Sequence, residues 1–149
     1  MPGFIAVISL CIYIVIILTL FKLLPVTLTA AGIAGFIISI GIAVDANILI
    51  FERVKEELRS GRTIADSVSA GFSRAWFSIR DSNISSIITA TILFWFGTSL
   101  IKGFALTLGM GVLVSMFSAI TITRIFLYTI EFVGEGKVAR FLFSSGLSK

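Results

Sequence analysis

The sequence predicts an all-α integral membrane protein with four transmembrane helices and one cytoplasmic amphipathic helix. The first observation is composition: 57% of the residues are hydrophobic and 13% are charged, whereas soluble domains average about 25% charged residues. The second is a mean hydropathy of +1.09. The third is the presence of apolar runs of about 18 residues or more, which are long enough to cross a bilayer core of about 30 Å.

Four such runs lie at about residues 4–24, 29–51, 84–101 and 104–132. The first run is closed by Pro25 and differs from a signal peptide, because it lacks a basic start and is longer than the apolar region of such peptides. The fourth contains Arg124 as the only charge away from its end, where Glu131 precedes the last residue. The four runs and the segments between them define the expected membrane domain, residues 1–149.

The second run contains one acidic residue, Asp45, which is the only ionisable residue between Val26 and Phe51. It lies six residues before Phe51, or roughly 9 Å inside the end of the span, too deep for its short side chain to reach the interface. A charged residue there costs a few kcal/mol. Asp45 must therefore be neutral, paired or hydrated.

Two faces of this second helix differ in character. Small residues that would let a neighbouring helix approach closely recur every four positions, at Ala31, Gly35, Ser39 and Ala43. At 100° per residue, four other residues lie within about 40° of Asp45: Ala34, Ile38, Gly41 and Glu52. We therefore expect Asp45 to face protein rather than lipid.

An intramembrane carboxyl group of this kind is a candidate proton carrier. A low-dielectric environment favours the protonated form of a carboxyl group, which loses its proton when solvation or a cationic partner changes. The alternatives are a protonated Asp45 in one interhelical hydrogen bond and a permanent ion pair with Arg124. We expect no direct pair with Arg124, because it would remove the proton affinity that a carrier needs.

Further polar residues could support this carboxyl group. They cluster at the start of the third span, where hydroxyl groups could orient protons or water, although such hydroxyls usually bond to their own helix backbone. The candidate supporting residues are Asn47, Asp81, Asn83, Ser85, Ser86 and Arg124.

The segment 52–80 is expected to lie in the cytoplasm together with both termini. Short loops rich in lysine and arginine stay in the cytoplasm, and this one contains six such residues, whereas the other two connections contain only Lys22 and Lys102. Glu52 to Arg59 should continue the second helix, and Gly61 is placed to end it.

A second helical piece is predicted after that glycine. Thr63 with Asp66 resembles a capping box, and apolar residues then recur at helical spacing, at Ile64, Val68, Phe72 and Ala75. This pattern predicts an amphipathic helix along the membrane surface. The alternative is a helix that merely packs on the ends of the spans.

The residue inventory argues against several function classes. The chain has no histidine, and Cys11 is its only cysteine, so zinc-type sites, histidine bases and internal disulfides cannot form. No catalytic triad, paired-carboxylate geometry or Gly-rich phosphate loop is present. We therefore expect no enzyme activity, metal or cofactor. The basic residues sit at the ends of apolar runs, which favours contact with the lipid bilayer over nucleic-acid binding.

Three motifs carry a resemblance to a known family: TLTAAGIAGFIISIGIAVDANILIFERVKEEL, SIRDSNISSIITATILFWFGTSLIKGFALTLGMGV and SMFSAITITR. Over about residues 4–127 the chain resembles the last membrane helices of the SecD family of bacterial protein-export subunits. The resemblance implies half of a resistance-nodulation-division-type helix bundle in the bacterial inner membrane. It also implies a SecF-like membrane subunit and a SecYEG-type channel as partners, and use of the proton-motive force to move preproteins.

Within this resemblance, Asp45 of the AVDAN motif is implied to be the proton-responsive residue. The family's D-A-N-x-T-T pattern in the third span is replaced by D-S-N-I-S-S at positions 81–86, which keeps both trailing hydroxyls. The family's first membrane helix, its extracytoplasmic domain and its second helix would all precede Phe4. We therefore expect a fragment, a split-gene product or a degenerate copy. A membrane scaffold without proton transport and an exporter of drugs or lipids remain alternative functions.

Overall fold

The structure, a computed structural model, describes residues 2–24 and 26–133. In these ranges the chain forms four helices and no strand: α1 (Pro2–Leu23), α2 (Ala30–Arg59), α3 (Ile64–Phe96) and α4 (Ser99–Val133). The prediction of an all-helical chain is confirmed. In the described part, three helical segments are long and apolar enough to cross a membrane, at Ala6–Leu23, Ala30–Arg59 and Ser99–Thr121.

The third and fourth predicted spans have different boundaries in the structure. The sequence predicts their junction at residues 101–104, but α3 ends at Phe96 and α4 begins at Ser99. Gly97 takes an extended conformation and caps α3 through its N–H on the Leu93 carbonyl. Helix α3 is not among these three segments, so the count of four spans stays a prediction.

Helices α2 and α4 run parallel and approach each other through small residues. A Cβ atom built on Gly35 would lie 2.5 Å from the carbonyl oxygen of Phe104, and one built on Gly111 would collide with Ser39. The Thr107 hydroxyl donates a hydrogen bond to the Gly32 carbonyl across the interface at 2.8 Å. The predicted small-residue face of α2 is thus the face that packs on α4.

Helix α1 runs antiparallel to α2 and covers the groove between α2 and α4. Tyr13 and Ile17 are almost fully buried. The Tyr13 hydroxyl donates to Ser39 Oγ at 2.8 Å, and the Ser39 hydroxyl in turn donates to the Phe36 carbonyl at 2.7 Å. These bonds satisfy polar groups that would be costly to leave unpaired in a membrane interior.

The connection between α2 and α3 follows the sequence prediction. Glu52 to Arg59 continues α2 without interruption. Gly61 has a φ of 85°, a backbone conformation that glycine adopts without steric cost. Thr63 then caps α3, because its Oγ accepts a hydrogen bond from the Asp66 N–H at 3.2 Å. Residues 60–63 are therefore a tight turn between two stiff helices.

The prediction of a separate amphipathic helix was wrong, because residues 64–80 form the first half of the continuous helix α3. No glycine or proline interrupts the helix after Gly71, and its apolar face packs on the extension of α2 instead of on a bilayer. A Cβ atom on Gly71 would lie 2.6 Å from the Val54 nitrogen. The buried residues of this contact are Ile50, Val54, Ile64, Val68, Ala75 and Ile79.

A buried carboxylate fastens the same pair of helices. Glu57 on α2 is only 5% exposed. One carboxylate oxygen lies 2.7 Å from a guanidinium nitrogen of Arg74 on α3, and the other lies 3.2 Å from a guanidinium nitrogen of Arg62 in the turn. Both arginines satisfy a charge that would otherwise be costly to bury.

We expect Glu57→Gln to lower the free energy of unfolding by about 1–3 kcal/mol, because the charge-assisted bonds to two arginines are lost at a buried position. Glu56→Gln is the matched control, since Glu56 is exposed and pairs with Arg53 on the surface, where such pairs contribute about 0–1 kcal/mol. Thermal unfolding in lipid nanodiscs measures both changes. Equal effects of the two substitutions would show that the ion pairs of Glu57 do not hold α2 and α3 together.

We expect Gly71→Ala to destabilise the chain by about 1–3 kcal/mol, because the added methyl group meets the α2 backbone and forces the two helices apart. Gly41→Ala is the control, since nothing lies within 4 Å of a Cβ atom built there. The unfolding midpoints of the two variants provide the comparison. A Gly71→Ala variant as stable as Gly41→Ala would show that the hairpin tolerates a wider spacing.

Candidate functional site

Asp45 lies in the middle of α2, and its side chain is exposed on the outer face of the helix. Its neighbours on this face are exposed as well: Ile38 is 47% exposed, and no atom lies within 4 Å of a Cβ atom built on Gly41. Ala34 and Glu52 are also exposed. The residues predicted to share a face with Asp45 do so, but no described part of the chain covers that face.

The Asp45 carboxyl group has no hydrogen-bond or ion-pair partner among the side chains that the structure describes. The four ion pairs found there join arginines to Glu56, Glu57 and Asp81. The side chain of Arg124 lies outside the described residues. The expected absence of an Asp45–Arg124 pair therefore stays a prediction.

Asn47 and Asn83, two of the candidate supporting residues, point into the bundle. Asn47 is 7% exposed on the inner face of α2, and Asn83 is 1% exposed on α3. Within the described residues, no partner accepts a hydrogen bond from Asn83 Nδ2. The structure thus separates these two amides from the carboxyl group of Asp45, which lies on the outer face.

The remaining candidates on α3 lie outside the bundle core. Asp81 is exposed and bonded to Arg80 at 3.1 Å, and Ser85 is exposed. Ser86 is half-buried, and its hydroxyl donates to the Ser82 carbonyl one turn earlier. The hydroxyls of Thr89 and Thr91 donate to backbone carbonyls of their own helix in the same way. This is the usual bonding of such hydroxyls in membrane helices.

Two functional candidates were missed from the sequence. Glu57 lies among other charged residues in the segment from Glu52 to Arg59, and only the three-dimensional packing shows that it is buried. Ser115 is 2% exposed on α4, and its hydroxyl lacks a partner among the described residues. Its position in the apolar ridge that contains Leu108, Val112 and Ala119 was the signal that could have identified it.

With this geometry established, comparison with known proteins identifies the family. The sequence matches the family described as Protein export membrane protein SecD/SecF, C-terminal, over residues 1–132. The chain belongs to this family. It is 58% identical over 134 residues to protein translocase subunit SecD of Thermobaculum terrenum, and 59% identical over 130 residues to that of a Synechocystis species.

These matches cover most of this SecD/SecF-family chain but a small part of each relative. Each includes 87% of this chain, whereas the chain spans only 26% and 28% of the length of the two relatives. The solved structure of SecDF, a translocon-associated membrane protein from Thermus thermophilus, matches with a TM-score of 0.83 and 38% identity. That match covers 91% of this chain and 19% of SecDF, and it agrees with the all-helical membrane fold.

Proposed function

We propose that this chain is a proton-responsive membrane part of the bacterial protein-export machinery. In this proposal it works with a SecF-like membrane subunit and a SecYEG-type channel, and it uses the proton-motive force to help move preproteins across the inner membrane. Membership in the SecD/SecF family supports the export role. The description of SecDF as translocon-associated supports a channel partner.

The observation that carries the proposal is the exposed Asp45 carboxyl group on a face of α2 that is apolar at the preceding positions Ala34, Ile38 and Gly41. A charged aspartate at the centre of a membrane helix costs about 2.5–3.5 kcal/mol, and no described part of the chain shields it. A second helix bundle against this face would remove the carboxyl group from lipid and create a hydrated or polar boundary around it. A SecF-like half of similar architecture is the partner that fits this requirement.

Such a boundary allows Asp45 to exchange protons with one side of the membrane at a time. The protonated carboxyl group is neutral and tolerates an apolar contact, whereas the carboxylate requires water or a cation. Loading and release of a proton therefore favour different arrangements of the two bundles. Since α2 continues to Arg59 and is fastened to α3 by Glu57, the α2–α3 hairpin would move as one body.

The proposed orientation follows the positive charges. The segment 52–80 contains six of the twelve arginines and lysines, so this segment would lie in the cytoplasm, as would both termini. The connections that contain Lys22 and Lys102 would face the other side. Asp45 would then lie in the cytoplasmic half of the membrane.

Two alternatives give different experimental results. In a scaffold, the helices would only hold partner subunits, and the charge of Asp45 would have no part in transport. An exporter of drugs or lipids would show substrate-dependent efflux from vesicles that contain the complete complex. Family membership favours protein export over this second alternative.

We expect Asp45→Asn to leave assembly of the export complex intact and to abolish the part of preprotein translocation that depends on the proton gradient, because asparagine cannot release a proton. Translocation into inverted membrane vesicles, with and without an uncoupler, measures that part. Glu56→Gln is the control, since it makes the same chemical change at an exposed site on α2. Full gradient-dependent translocation with Asp45→Asn would favour the scaffold.

We expect several glycines inserted after Gly61 to reduce gradient-dependent translocation more than they reduce stability. The insertion loosens the turn, while Glu57–Arg74 and the Gly71–Val54 contact still hold the helices together. Unfolding midpoint and translocation are measured on the same preparation. Undiminished translocation would show that the turn only connects the two helices and has no mechanical role.

A further inference from the structure

We infer that the interior of the α2–α3–α4 bundle contains a water-binding site formed by Asn83 and Ser115. The inference begins with two polar atoms, the Asn83 side-chain nitrogen and the Ser115 hydroxyl oxygen. Their residues are 1% and 2% exposed, and neither atom has a hydrogen-bond partner among the described residues. It does not depend on the proposed proton-responsive role of Asp45.

The register of α3 against α4 places these two residues opposite each other. A Cβ atom built on Gly109 would lie 3.4 Å from the Ala90 side chain, and Ile79 belongs to the same packed cluster as Ala119. Helices α3 and α4 therefore run antiparallel, so that later positions in α3 lie beside earlier positions in α4. Asn83, which lies between Ile79 and Ala90, falls at the level of Ser115.

Helix α2 completes this layer with small and polar residues. The parallel register that places Gly35 against Thr107 and Ser39 against Gly111 brings Ala43 to the level of Ser115. Ala43 is buried and belongs to the cluster that contains Tyr13 and Ile17 of α1 and Val114 of α4. Asn47 follows one turn later on the same inner face and is also buried.

A bridging water would give these two buried polar groups the hydrogen-bond partners that a dry core lacks. An unpaired buried polar group costs about 1–3 kcal/mol, and a buried water typically makes about three hydrogen bonds to such groups. The asparagine amide nitrogen offers two donors, and the serine hydroxyl is both donor and acceptor. A bridging water would accept a bond from Asn83 Nδ2 and donate one to Ser115 Oγ.

The site lies on the inner side of the same turn of α2 whose outer side presents Asp45. Ala43 and Asn47 stand two residues before and two residues after Asp45, so at 100° per residue they point to the opposite side of the helix. The bundle would thus contain a hydrated interior position beside, and separate from, the outer carboxyl group.

A crystal structure of the full chain in lipid, at a resolution that shows ordered water, tests the site directly. We expect a solvent peak at about 2.7–3.2 Å from both Asn83 Nδ2 and Ser115 Oγ. The peak should be absent from the Asn83→Leu/Ser115→Ala double variant. A direct Asn83–Ser115 hydrogen bond without a solvent peak, or a dry layer, would overturn the inference.

Thermal unfolding of the full chain in nanodiscs provides a second measurement. Because one water serves both groups, Asn83→Leu and Ser115→Ala should shift the unfolding midpoint non-additively when they are combined. Asn83→Leu with Ser67→Ala is the control pair, since Ser67 lies near the start of α3 and is an equally buried hydroxyl without a partner among the described residues. Additive shifts in both pairs would overturn the shared water.

Discussion

The close approach of α2 and α4 determines how the rest of the bundle is arranged. Gly35 and Gly111 lack the side chains that would separate these helices, and Ser39 fills the space against Gly111. The Ser39 hydroxyl is also the acceptor for Tyr13, so the same contact positions α1. In a membrane, where lipid is as apolar as the helix surfaces, packing of small residues and interhelical hydrogen bonds drives association. Ser39 makes both contributions, because it packs on Gly111 and accepts the hydrogen bond from Tyr13.

This constraint also fixes the orientation of Asp45. With Gly35, Ser39 and Ala43 turned toward α4, a residue two positions after Ala43 is rotated by about 200° and must point outward. The outward direction of the carboxyl group is therefore a geometric consequence of the small-residue face. One helix serves both as the centre of its own bundle and as the carrier of an ionisable group on the bundle's exterior.

Local features were predictable from the sequence because they depend on neighbouring residues. The turn at Gly61, the cap at Thr63 and the shared face of Asp45 all follow from backbone preference or helical periodicity. Contacts between distant residues were not predictable in this way. The pattern from Ile64 onward is amphipathic whether its apolar side meets lipid or the α2 extension, and only the tertiary contact distinguishes the two.

The candidate site was predictable to a similar extent. The composition of the second span singled out Asp45, yet nothing local indicated that the described chain leaves its face uncovered. Asn83 was chosen for its polarity, whereas its buried partner position Ser115 depends on the register of two helices about thirty residues apart in sequence. The predicted junction at residues 101–104 falls inside α4, because the cap at Gly97 ends the preceding helix earlier.

Helix α2 is long enough that a small tilt near Asp45 would move its C-terminal end by several ångströms. Its 30 residues correspond to about 45 Å at 1.5 Å per residue, well beyond a bilayer core of about 30 Å. Asp45 divides the helix so that about 21 Å lies between it and Arg59. A tilt of about 10° about that point would sweep the far end through about 4 Å, close to the diameter of one side chain. In the proposed orientation that end lies outside the membrane, where a displacement of this size would be large enough to make or break a contact with another protein.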